Sequence, residues 1–79
     1  MTEPETLRAF VNGTALSLAR GATVLDAVRA FDPLEAAAAA SGTRAVTDSR
    51  GLPVPLDTPL GGGAVLRIVS ARALREGAE

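Results

Sequence analysis

Leu7-Arg8-Ala9-Phe10-Val11-Asn12-Gly13-Thr14-Ala15-Leu16-Ser17-Leu18 is the stretch that decides the fold. Two short apolar runs flank Asn12-Gly13. That dipeptide is the strongest short hairpin signal, because a type I′ turn needs positive φ at both central positions. The strand before the turn runs from Leu7 to Val11, and the return strand, Thr14 to Leu18, places Leu16 and Leu18 on one face.

Ala19-Arg20-Gly21-Ala22 breaks the return strand. Thr23 is suited to cap a helix, with Asp26 three residues on completing a capping box. Val24, Leu25, Val28 and Phe31 recur at helical spacing. Asp32-Pro33 ends this helix and starts a second over Pro33 to Ala40, closed by Ser41-Gly42. The run Ala36 to Ala40 reads as a helix that packs closely against a neighbour. A third strand follows over Thr43 to Asp48, then a turn at Ser49-Arg50-Gly51. Leu52-Pro53-Val54-Pro55-Leu56 alternates Leu, Val and Leu against two prolines, which makes it an edge strand or an extended connection. Gly61-Gly62-Gly63 leads into the strongest strand signal, Ala64 to Ser70. The phosphate-loop reading of that glycine run fails for want of a Lys and a following helix, so it is a tight turn.

The order of elements predicts an α+β domain with helices on one face of a sheet. The expectation is a single domain over residues 1–79, with flexible tails at 1–5 and 73–79, although the Arg-, Ala- and Glu-rich stretch from Ala71 could also extend as a short helix. Leu16, Leu18, Val24, Leu25, Val28, Leu66 and Ile68 are the expected core. A chain of 79 residues buries only about 60–65% of its unfolded surface, so that core is thin. No disulfide or Cys/His metal site can staple it, because Cys and His are both absent.

Composition excludes much chemistry. The chain has no Cys, His, Lys, Tyr or Trp, so most nucleophiles, general bases and soft metal ligands are missing. Catalytic residues, cofactors and metal sites are therefore all expected to be none, and the protein is expected not to be an enzyme. Asp26, Asp32, Asp48 and Asp57 show no calcium-loop spacing and have capping or turn roles. Eight Arg offset nine acidic residues, giving a net charge of −1 with no basic stripe. Only Phe10 and Phe31 are aromatic. Both facts argue against a nucleic-acid partner. No apolar run reaches membrane-spanning length, and the acidic start is unlike a signal peptide, so the expectation is a cytoplasmic protein without membrane insertion.

The local text resembles the β-grasp, or ubiquitin-like, superfamily. Val11-Asn12-Gly13, Leu16-Ser17-Leu18 and Gly21-Ala22-Thr23-Val24-Leu25-Asp26-Ala27 look like the opening of sulfur carriers of the ThiS and MoaD type. They look equally like the opening of 2Fe–2S ferredoxin-like domains and of TGS domains. Leu60-Gly61-Gly62-Gly63-Ala64-Val65-Leu66 is similar to the turn into the last strand of the carriers. The likeness covers Leu7 to Val69 and implies a β-grasp fold: a mixed sheet of four or five strands with a helix across one face. The iron–sulfur function is excluded, since four thiolates are needed and none exists. The carriers end in Gly-Gly, whereas this sequence reads Leu74-Arg75-Glu76-Gly77-Ala78-Glu79. A processed or degenerate carrier remains as the alternative.

What remains is a protein-interaction module or small accessory subunit whose partner is another protein. If Leu7, Ala9 and Val11 face the helix, Arg8 and Phe10 face away. In the last strand Leu66 and Ile68 point inward, and Val65, Arg67 and Val69 outward. A β-grasp sheet sets its first and last strands side by side. Phe10, Val65 and Val69 then form an exposed apolar patch edged by Arg8 and Arg67, the expected docking site. A one-residue slip in register would instead bury Phe10 in the core. Arg44, Arg50, Arg67 and Arg72 form a second candidate group, either an anion-binding cluster or a solvated face.

Overall fold

The hairpin forms because its turn residues tolerate the left-handed region. In the computed structural model, which describes residues 5–77, Asn12 has φ 51° and Gly13 φ 84°. They join β1 (Thr6–Val11) to β2 (Thr14–Ala19), antiparallel, with Val11 opposite Thr14 and Thr6 opposite Ala19. Asn12 does more than turn the chain. Its N–H donates to the Leu66 carbonyl at 3.0 Å, and its Oδ1 accepts from the Ile68 N–H at 2.9 Å.

The two helices follow as their capping residues dictate. α1 (Val24–Phe31) opens with a complete capping box. The Asp26 N–H donates to Thr23 Oγ1 at 3.3 Å, and the Thr23 N–H donates to Asp26 Oδ2 at 2.9 Å. Asp32 then serves both helices. Its N–H donates to the Val28 carbonyl at 2.8 Å, and its Oδ1 accepts from the Leu34 N–H at 2.9 Å. α2 (Pro33–Ser41) has proline in its first turn and ends at Gly42, which is left-handed with φ 91°. Ala36 and Ala39 are buried, in line with a helix that packs closely.

β3 (Arg44–Asp48) and β4 (Ala64–Ser70) complete a four-stranded mixed sheet in the order β2-β1-β4-β3. The central pair, β1 and β4, is parallel, and β3 runs antiparallel to β4. Gly63, with φ 83°, makes the turn into β4 and donates its N–H to the Arg8 carbonyl at 2.8 Å. The architecture is therefore α+β, with α1 and α2 packed over one sheet face. Among the described residues no helix is long and apolar enough to cross a membrane.

The core sits between that face and the helices. Leu18, Val24, Val28 and Leu66 are buried as expected. Leu16, Leu25 and Ile68 are only partly buried, packed against the cluster's rim. Their places at the centre are taken by Ala9, Val11, Ala27 and Val46. The sheet and helices approach closely enough that small side chains fill the middle.

The proline-rich segment is an extended connection rather than a strand. It makes single bridges, Pro53 to Thr47 and Pro59 to Thr23. Two of its carbonyls hold the start of α1. Those of Thr58 and Leu56 accept from the Val24 and Leu25 N–H groups at 3.0 and 2.9 Å. These are first-turn donors that no intrahelical carbonyl can reach. Val54 and Leu56 turn inward, but Leu52 is 51% exposed, against the expectation of one common apolar side. At the other end, the stretch after β4, expected to extend as a short helix or to stay loose, forms the short helix α3 (Ala71–Gly77). The remaining tail residues, 1–4 and 78–79, lie outside the described ones.

Leu66 is 3% exposed and Leu34 80%. Leu66→Ala is expected to cost about 2–5 kcal/mol in denaturant unfolding. Leu34→Ala should stay within about 0.5 kcal/mol.

Candidate docking face

Alternation divides β1 and β4 between two surfaces. Ala9, Val11 and Leu66 are buried beneath the helices. The intervening Arg8, Phe10, Val65, Arg67 and Val69 therefore face the opposite way. The parallel register places Phe10 directly opposite Val65, with Ala15 of β2 on its other side. Phe10 is partly buried and takes no part in the core cluster, and Val65 is 42% exposed. Phe10 thus stands on the outer face.

The patch is less compact than expected. Val69 lies four residues beyond Val65, about 13 Å along the strand. Arg67 stands between them, opposite Thr47 of β3, and Arg8 lies on the far side of Phe10. The outer face is a strip in which arginine and apolar side chains alternate.

Sequence reasoning missed the walls of this strip. Beside Val69 an open groove of about 570 Å³ is lined by Leu52, Pro53 and Leu74 together with Thr47 and Arg67. A second hollow of about 440 Å³ lies at the hairpin end, lined by Asn12, Gly13, Val65 and Arg67. Arg67 is common to both. Alternation alone puts Leu52 on the inner side, but Pro53 interrupts that alternation. Leu74 falls in the stretch expected to be a tail; the available signal was an apolar residue on one turn of a short helix.

The position of Leu52 and Pro53 is set by Asp48. Its Oδ1 accepts from the Arg50 N–H at 2.9 Å and the Leu52 N–H at 3.0 Å. The Arg50 guanidinium donates to Oδ2 at 3.2 Å. The Leu52 N–H, with the Arg50 N–H and guanidinium, holds the Asp48 carboxyl below its ordinary value. Asp26 is lowered too, first by the Thr23 backbone and hydroxyl and then by Arg29.

The arginines separate into two kinds. Arg29 pairs with Asp26, Arg44 with Glu35 and Arg50 with Asp48, at 3.3, 3.4 and 3.2 Å. Arg44, which opens β3, and Arg50, past its other end, are exposed and each held by a carboxylate rather than free for an anion. Arg8 and Arg67, on the outer strip, form no ion pair with any described residue. Among the described residues no cluster of three or more His, Cys, Asp or Glu could hold a metal ion. The chemistry on offer is apolar contact flanked by cations. Comparison with protein-family models, with curated proteins and with solved structures gives no match.

Asp26 and Asp48 are more acidic folded than unfolded. Their contribution to stability is present above the unfolded carboxyl pKa and is lost as pH falls through the lower folded value. Unfolding free energy should therefore decline below about pH 4. Asp48→Ala should lower stability at neutral pH and flatten that acid decline, as read from denaturant melts across pH.

Proposed function

We propose that the chain is a non-enzymatic interaction module of β-grasp topology, a small accessory subunit that docks on another protein. The sheet order supports the topology: the first and last strands lie parallel at the centre, with a helix crossing after the first hairpin. The observation that carries the function is the paired Phe10 and Val65 on the face turned from α1 and α2. An aromatic beside a branched aliphatic, flanked by Arg8 and Arg67, has the makeup of an interface centre. Most side chains that serve as nucleophiles or general bases, Cys, His, Lys and Tyr, are absent from the sequence, which favours a binding role.

Affinity capture from the native host, with titration of the recovered partner, tests this. Phe10→Ser should weaken a stoichiometric partner at least tenfold while leaving circular dichroism and melting cooperativity intact, since losing an interface anchor costs about 2 kcal/mol or more. Binding unchanged by Phe10→Ser in a folded chain places the partner elsewhere. Function lost on deleting residues 75–79, with Phe10→Ser harmless, favours the sulfur-carrier reading.

A further inference from the structure

The two edges of the sheet are treated differently. The β3 edge is occupied by the connection that follows it. The Asp48 N–H donates to the Leu52 carbonyl at 2.9 Å, and the Val54 N–H to the Val46 carbonyl at 2.9 Å. Pro53 and Pro55 remove donors from the outer side of that connection. Among the described residues the β2 edge has no such cover. β2 pairs with β1 and with no other described strand.

Which groups that edge presents follows from the ladder. The Arg20 N–H donates to the Glu5 carbonyl at 3.0 Å, in register with the β1–β2 pairs. Hydrogen-bonded pairs alternate, so Leu18, Leu16 and Thr14 bond to β1. Ala15, Ser17 and Ala19 then point their N–H and C=O groups outward. Of these, only the Ala19 carbonyl has a described backbone partner, the Ala22 N–H at 3.1 Å. The strand carries none of the usual protections, being free of Lys, Pro and charge throughout Thr14–Ala19.

The edge is also a palindrome. Ala15-Leu16-Ser17-Leu18-Ala19 reads the same in both directions about Ser17. In an antiparallel self-pair centred on Ser17, every residue meets its own kind. Ser17 meets Ser17, Ala15 meets Ala19, and Leu16 meets Leu18 of the other copy. The outward-pointing residues 15, 17 and 19 are the ones that this register requires to bond. The half-buried Leu16 gains a leucine neighbour on the inner face. On the outer face the row Val65, Phe10, Ala15 continues onto Ala19 of the second copy.

We infer that the β2 edge is a homodimerisation site at which a second copy of this chain pairs antiparallel about a two-fold axis through Ser17. The contact is isologous and closes on itself, joining two four-stranded sheets into one of eight. A single strand pair buries less than a standard interface of about 1,600 Å², so the association is weak and shows at micromolar to millimolar concentration. It is separate from the Phe10 and Val65 face, and Phe10→Ser should leave most of it in place.

The test is sedimentation of the full chain across that concentration range, with variants at the axis. The Ser17 N–H makes no bond to any described residue, so Ser17→Pro removes only an outward donor. It should weaken dimerisation at least tenfold with the fold retained. If Ser17→Pro unfolds the chain, Ser17→Lys decides, by placing two like charges on the axis. Register is read by oxidation, since the chain has no native cysteine. Facing Cα atoms of a bonded antiparallel pair lie about 5.5 Å apart, within disulfide reach. Ser17→Cys should cross-link to itself, Ala15→Cys should not, and a mixture of Ala15→Cys with Ala19→Cys should. A chain that is monomeric throughout the range, or a dimer indifferent to both Ser17→Pro and Ser17→Lys, overturns the inference. So does association only with a strand of a different protein.

Discussion

The parallel ladder between β1 and β4 is the interaction on which the rest of this domain depends. It brings together segments more than fifty residues apart and forms the floor on which α1 and α2 rest. Asn12 fastens it from the turn, giving one hydrogen bond and receiving another from β4. The Gly63 N–H closes its other end on the Arg8 carbonyl. The same register that buries Val11 beside Leu66 puts Phe10 beside Val65 on the reverse side. Core and candidate docking face are therefore two sides of one alignment, and neither can shift without the other.

What was legible in the sequence was local. Asn12-Gly13, the Thr23 and Asp26 box, Asp32-Pro33 and Gly42 each state their geometry within four residues, and each forms the turn or cap that its residues imply. The outward placement of Phe10, Val65 and Arg67 also follows from period-two alternation. What was not legible depends on distant partners. Nothing in Asn12 announces that its side chain will meet the Ile68 amide. The choice of Val11 and Ala9 over Leu25 and Ile68 for the deepest positions reflects how near the helices come to the sheet, which is a property of the assembled layers. Leu52 and Leu74 escape sequence reasoning for a related reason. Each lies on a segment whose path is decided by Asp48 or by the end of β4.

The thinness of the core gives the polar side chains unusual weight. With Val and Ala filling its centre, the domain gains little apolar burial per residue. The connection after β3 compensates at several points. Its carbonyls satisfy the first amides of α1, while Val54, Leu56 and Leu60 cover the cluster's flank. A segment with almost no regular structure thereby closes both a helix end and a sheet edge. Its prolines hold it extended for that purpose, and they limit its freedom in the unfolded chain as well.

Asp32 joins α1 and α2 without a linker. It terminates one helix through its backbone and starts the other through its carboxylate. Amides at the end of α1 and the start of α2 thus share a single fastening, and unravelling either terminus frees the other. In hydrogen exchange the pair should behave as one cooperative opening unit, with matching protection on the two sides of Asp32.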